Sequence, residues 1–272
     1  LVLLRKLRHI RAMKITMYQV DAFADAVFKG NPAAVCLLDA WLDDDLLQAI
    51  AGENNLSETA YLVASGDAYD LRWFTPVAEV DLCGHATLAS AHVVFEHTER
   101  DADAVSFDTR SGRLSVARGA DGLLAMDFPS QPGVELAVGE DMIQALGAEP
   151  SSLFGGEDFM AVFERQCQIA AIAPDFAALK KLERRGVIIT APGDDVDFVS
   201  RFFAPKHDIP EDPVTGSAHC MLTPYWADRL GKTEMQARQI SARGGDLTCA
   251  LNGKRVGISG RAREYMKAEI SL

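Results

Sequence analysis

Long apolar runs are missing from this chain of 272 residues, and none reaches the roughly 18–20 residues that a membrane-spanning helix needs. Positive charge is scarce. Lys and Arg number 27 against 39 Asp and Glu, a formal net charge of −12, which argues against DNA, RNA or an anionic membrane as partner. Any attraction for a small anion must then be local, and backbone N–H groups can supply it without Lys or Arg. Cysteine is sparse and scattered: Cys36, Cys83, Cys167, Cys220 and Cys249 are odd in number and form no C-x-x-C pair. That pattern fits reduced thiols in a cytosolic protein better than a disulfide framework. It offers no zinc spacing, Cys220 beside His219 being the nearest approach to one. Gly244-Gly245 lacks the context of a G-x-G-x-x-G or Walker loop, so nucleotide binding finds no support.

What is present is a soluble, globular composition, 48% hydrophobic and 24% charged, at a length that suits one large domain or two ordinary ones. The most informative feature is a phrase that occurs twice. Arg72-Trp73-Phe74-Thr75-Pro76 leads through Glu79, Val80 and Asp81 into Cys83-Gly84-His85-Ala86-Thr87-Leu88-Ala89. Arg201-Phe202-Phe203-Ala204-Pro205 leads through Glu211 and Asp212 into Val214-Thr215-Gly216-Ser217-Ala218-His219. Each copy is an aromatic strand end, a Pro stop, an acidic turn and a Gly-small pair that opens an Ala-rich helix. Glycine lets backbone approach a ligand closely, and a helix N-terminus presents free N–H groups at its positive end. Two such termini, one per half, predict a pseudo-symmetric cleft holding an anion between them.

The pattern divides the chain into a basic extension over 1–12, a first half over 13–128 and a second over 134–272, whose last strand could return to the first half. The extension, with Arg5, Lys6, Arg8 and Arg11 and no acid, lacks the long apolar core and cleavage site of a secretory signal. Pro129–Gly133 is the most linker-like stretch. Strands are predicted at Ile15–Val20 and Ala34–Leu38 around a Gly30-Asn31-Pro32 turn, and a helix capped by Asp43 or Asp44 runs to about Glu53. A hairpin over Thr59–Ala64 and Tyr69–Thr75 precedes the helix Ala86–His97, and three strands follow at Ala104–Thr109, Arg113–Ala117 and Leu123–Phe128. The second half is expected to place a helix near Asp141–Leu146, strands at Asp158–Phe163 and Cys167–Ala173, and a helix over Pro174–Leu182. Strands at Val187–Thr190 and Asp197–Ala204 lead to the helix Ser217–Leu230, with four strands after it. Mixed helix and strand within each half indicate two α+β domains rather than a doubly wound nucleotide fold.

Glu58, in Leu56-Ser57-Glu58-Thr59, stands where an apolar strand begins. Desolvation there would favour the protonated carboxyl and suit proton transfer, although a solvated acid or a cap partner for Ser57 fits the pattern equally. His85 follows Gly84 at a helix start whose N–H groups disfavour the imidazolium, so a neutral ring could relay a proton; a packing or surface histidine fits as well. Asp212 precedes Pro213 and could simply cap the Gly216 turn. Ser217 is an ordinary first-turn residue. His219, Cys220, His92 and His97 fall on helices as packing or surface residues.

Gly30-Asn31-Pro32-Ala33-Ala34-Val35, Leu56–Thr59, Arg72–Pro76 with Cys83–Thr87, Glu211–Ala218 and Ser241-Ala242-Arg243-Gly244-Gly245 occur in this order between about Met13 and Gly260. Together they resemble the phenazine-biosynthesis isomerase (PhzF-like) family, which is similar in fold to diaminopimelate epimerase: two pseudo-equivalent halves, each a sheet wrapped around a central helix. The resemblance implies that Glu58 is the acid/base, that His85 and Asp212 line the site beside it, and that Gly84, Gly216 and Ser217 donate to a substrate carboxylate. It also implies catalysis without cofactor or metal, a cytoplasmic homodimer and a biosynthetic role. The family's reference reaction isomerises a dihydro-hydroxyanthranilate, but a fold does not carry a substrate with it. The epimerase cousins use two cysteines, one at each central helix. Here Cys83 is present while Thr215 stands opposite, which disfavours a two-thiol racemase. Two alternatives remain: a racemase or epimerase using Glu58 with Cys83, and a non-catalytic binder of a small acid or a protein.

Overall fold

The computed structural model describes residues 13–119 and 121–272, so the basic extension over 1–12 lies outside the described residues. In the first half, β1 (Lys14–Ala22), β2 (Asn31–Leu38), β3 (Glu58–Ser65), β4 (Ala68–Phe74), β5 (Glu79–Val80), β6 (Ala104–Thr109), β7 (Gly112–Arg118) and β8 (Leu124–Pro129) surround α2 (Gly84–His97), and α1 (Asp44–Asn54) lies outside. In the second half, β9 (Val134–Leu136), β10 (Ser152–Gly155), β11 (Phe159–Val162), β12 (Val187–Pro192), β13 (Phe198–Ala204), β14 (Ile209–Asp212), β15 (Glu234–Gln239), β16 (Gly245–Asn252) and β17 (Arg255–Gly260) surround α6 (Gly216–Leu230). Helices α3 (Glu140–Leu146), α4 (Gln166–Ala171) and α5 (Phe176–Leu179) and strand β18 (Ala262–Ser271) complete the chain.

The pairing pattern repeats as the sequence phrase does. In the first half β1 is antiparallel to β2, β2 parallel to β3, β3 antiparallel to β4, β4 parallel to β6, and β6, β7 and β8 run antiparallel in turn. The second half repeats this in β10, β11, β12, β13, β15, β16 and β17. Strand β18 pairs antiparallel with β1 as β9 does with β10, and the two halves join where β8 pairs with β17. This is the expected α+β architecture, two pseudo-symmetric mixed sheets each wrapped around a central helix.

The central helices are central because they are apolar on nearly every side. In α2 the buried set includes Ala86, Leu88, Ala89, Ala91, Val93, Val94 and Phe95, and in α6 it includes Ala218, Met221, Leu222, Trp226 and Ala227. Both helices belong to one buried cluster that spans both sheets. Gly231, at φ +64°, ends α6 in the left-handed conformation that glycine adopts without strain. No helix among the described residues is long and apolar enough to cross a membrane.

Local expectations fail in a few places. The segment predicted as a strand at Cys167–Ala173 forms helix α4, with Gln168 accepting from the Arg165 N–H at its start. Ile169 and Ile172, three apart, are both buried, and Arg201 donates to both of their carbonyls. That distant guanidinium satisfies carbonyls which a strand ladder would otherwise have to satisfy. The helix expected over Pro174–Leu182 shrinks to α5, whose N-terminal N–H groups are capped by Asp175. Only Gly30, at φ +63°, forms the expected first turn, since Asn31 and Pro32 already belong to β2.

Candidate active site

The two glycine-opened helices start against each other. A Cβ built on Gly84 would lie 3.9 Å from the Gly216 Cα, and one built on Gly216 equally close to Gly84. Cys83 and Thr215, the residues before each helix, are extended (φ −144° and −116°) and neither side chain caps the N–H groups that follow. Both termini open into a cleft of about 560 Å³ between the halves. Its walls contain all six residues singled out from the sequence: Glu58, Gly84, His85, Asp212, Gly216 and Ser217.

Glu58 is delivered by the start of β3, opposite Ala33 of β2. Its Oε2 lies 2.9 Å from His85 Nε2, with both side chains nearly buried. The pair is close but off the line of a hydrogen bond, leaving each atom without an aligned partner among the described residues. Apo sites often hold their catalytic hydrogen bonds in this poorly aligned form until a ligand arrives. On the other side of the ring, His85 Nδ1 lies 3.5 Å from Cys83 Sγ and 3.3 Å from Asn31 Nδ2. Asp212 accepts from Asn31 at 2.8 Å on Oδ1 and from the Thr215 hydroxyl on Oδ2. Gln239, fully buried, holds this turn by donating to the Asp212 carbonyl (2.8 Å) and accepting from the Thr215 N–H (2.9 Å).

Burial pushes the Asp212 carboxyl up to about 6, against the pull of His85 and of its hydrogen bonds. Burial also lifts the Cys83 thiol to about 11, with the Glu58 charge adding to it. For His85 burial alone would lower the ring, while negative charge at Cys83 and Glu58 turns the net direction upward. A thiol titrating near 11 is uncharged at neutral pH, so Glu58 is the neighbour that acts there. The sequence argument for a neutral His85 counted only the helix terminus and omitted this carboxylate.

Glu58, Cys83 and His85 offer donor atoms within 4.8 Å of one another, as a metal site would. The imidazole stands between the other two, however, with Nδ1 toward the sulfur and Nε2 toward the carboxylate. One ring nitrogen cannot join both in a single coordination sphere, so the three fit a proton path better than a metal cage. The same 4.8 Å bears on a two-base racemase. A carbon approached from opposite faces at about 3–3.5 Å needs its two bases about 6–7 Å apart, and Glu58 and Cys83 are closer than that.

Two functional residues were not singled out from the sequence. Asn31 lay within a quoted phrase, but nothing local told its amide apart from a turn residue. Arg185 lay outside every phrase. Its guanidinium grips buried Asp158 through two hydrogen bonds (2.9 and 2.6 Å), meets Glu157 at 3.2 Å and donates to the Ser217 hydroxyl at 3.1 Å. A cation therefore stands at the cleft, where the sequence predicted attraction mostly from backbone N–H groups with the Ser217 hydroxyl. His219 is a packing residue as expected: it is fully buried, lowered to about 4 by burial, and bonded through Nδ1 to the Thr215 carbonyl at 2.8 Å.

The family model described as "Phenazine biosynthesis-like protein" matches residues 20–268. The chain belongs to this phenazine biosynthesis-like (PhzC-PhzF) family. It is 54% identical over 260 residues to an uncharacterized isomerase of Pseudomonas aeruginosa, covering 96% of this chain and all of that one. Among solved structures it is similar to a phenazine biosynthesis PhzF family protein of Enterococcus faecalis, with TM-score 0.93 and 48% identity over 96% of this chain and all of the other. A hydroxyproline epimerase from Agrobacterium vitis shares the fold alone, with TM-score 0.62 and 10% identity over 95% of this chain and 93% of the epimerase. The chain thus shares its family with proteins named isomerases and has the epimerase-like fold.

Proposed function

We propose that this PhzF-family protein moves a proton along the carbon skeleton of a small carboxylate substrate, with Glu58 as the single acid/base and without cofactor or metal. The observation that carries the reading is the meeting of Glu58, His85 and Asp212 with two uncapped helix N-termini in one cleft. The Gly84 and Gly216 N–H groups and the Ser217 hydroxyl donate to the substrate carboxylate. Arg185 is a donor only, so Ser217 accepts from it and has its own hydrogen free for the ligand. The Glu58 carboxylate takes a proton from an acidic C–H, and the electron pair left behind delocalises toward the bound carboxylate. Glu58, whose carboxyl proton can exchange with solvent, then returns a proton to another carbon of the conjugated skeleton. Composition and oxidation state are unchanged. His85 donates toward the charge that develops in between, and Asp212 lines the site beside it.

The reading includes a cytoplasmic, biosynthetic homodimer, supported by the free state of all five cysteines and by family membership. The test is incubation in deuterated water with a panel of cyclic and amino acids. The parent should incorporate solvent deuterium into, or isomerise, at least one of them. Glu58→Gln should lower that rate roughly 10²–10⁴-fold. Saturable binding without exchange would make the protein a binder, and a Glu58→Gln variant of near-normal turnover would remove Glu58 from its role.

A further inference from the structure

Asn31 is fully buried at the first position of β2, one residue after the positive-φ turn at Gly30. Its amide has a forced orientation. The nitrogen lies 2.8 Å from Asp212 Oδ1 and 2.9 Å from the Val214 carbonyl, both acceptors, while the oxygen accepts the Ser57 hydroxyl at 3.1 Å. Flipping the amide would set its oxygen against two oxygens and its hydrogens against a hydroxyl that can rotate elsewhere. The atom that faces His85 Nδ1 at 3.3 Å is therefore an –NH₂ group, which donates and cannot accept. A proton on Nδ1 would point at amide hydrogens, whereas a bare Nδ1 can share one of them. Cys83, the other group near Nδ1, is a thiol at neutral pH and can also donate.

We propose that Asn31 is a positioning residue that disfavours a proton on Nδ1 of His85 and so, in the neutral ring, holds the proton on Nε2, the nitrogen facing Glu58 and the cleft. The consequence follows from the hydrogen inventory. Held this way, His85 presents an N–H 2.9 Å from the Glu58 carboxylate, off-axis, so that it can serve Glu58 or a charge developing on a ligand. The imidazolium is opposed from the Nδ1 side, whatever Glu58 favours from the Nε2 side. The same amide bonds Asp212 and Val214 of the second half, so the tautomer is set only when the halves are assembled. The catalytic meaning of this tautomer rests on the isomerase reading; the tautomer itself does not.

The charged and titratable groups facing the ring are Glu58, Cys83 and Asp212, and none of them needs to change in the test. Long-range ¹⁵N–¹H spectra of the uniformly labelled protein distinguish the three protonation states of each histidine, and of the six in the chain His85 is assigned by the signals lost in His85→Gln. Once the pH is high enough for the ring to be neutral, the parent should keep the remaining proton on Nε2. In Asn31→Ala, which removes the donor, the neutral ring should give a mixture of tautomers. A neutral parent ring with its proton on Nδ1 would overturn the proposal even if the variant does not fold, as would a ring still doubly protonated at pH 10. An unchanged His85 tautomer in a folded Asn31→Ala would do the same. Failure of deuterium exchange on every acid of the panel would sink the isomerase reading and leave this result standing.

Discussion

Asp212 is held where its charge is poorly solvated, and burial lifts its carboxyl to about 6. An unfolded Asp titrates near 3.9, so between the two values the folded state binds more protons than the unfolded one. The sign follows: this contribution to stability is full below about pH 4 and is lost as pH rises through 6. At one pKa unit per 1.36 kcal/mol the loss is about 3 kcal/mol. Asp212→Asn cannot ionise and should escape it. Urea titrations at pH 4 and pH 8 should show the difference between parent and variant move by about 2–3 kcal/mol in the variant's favour. A difference flat across that range would mean that Asp212 stays ionised throughout. A residue kept at a cost to stability is what a functional site predicts, and no pattern around Asp212-Pro213 distinguishes it from a turn cap. Its partner Asn31 lies 181 residues away.

At the scale of the element, the two central helices do opposite work at their two ends. Their bodies are apolar on all sides and anchor both sheets, while their first turns are left uncapped at the cleft. The glycines there do not serve a left-handed turn, since neither has a positive φ, and their neighbours leave room for a Cβ at 3.7–3.9 Å. They matter because anything longer would reach across the gap between the termini. Gly216→Ala should therefore bind a small carboxylate such as benzoate nearly as the parent does. Gly216→Val should lose that binding while keeping the parent's far-ultraviolet circular dichroism. Calorimetric titration showing equal affinity in the Val variant would refute a shared anion cleft. Each helix terminus contributes about 0.3–1 kcal/mol to an anion when exposed and up to about 2 when partly buried, and Arg185 adds positive charge beside them through Ser217.

At the scale of the whole molecule, the halves are not independent, since β8 pairs with β17 and the last strand, β18, closes back on β1. The outer face around β18 carries exposed Tyr265 and Met266 beside exposed Phe28. We expect a homodimer, and light scattering should give twice the 29.5 kDa of one chain; 29.5 kDa across a wide concentration range would exclude it. What the sequence determined by itself was local. Helical periodicity and glycine stops placed both central helices, the duplicated phrase announced the pseudo-symmetry, and the onset of an apolar run marked Glu58. Those signals arise from backbone geometry and burial within a dozen residues, so they survive without the fold. Tertiary structure alone decided that α4 is a helix, because Arg201 satisfies its carbonyls from 29 and 32 residues away. It alone buried Asn31 against His85 and Asp212, brought Arg185 to the cleft and set Glu58 against His85. A buried polar group takes its meaning from the partner that satisfies it, and here those partners come from strands and loops that only the assembled halves bring together.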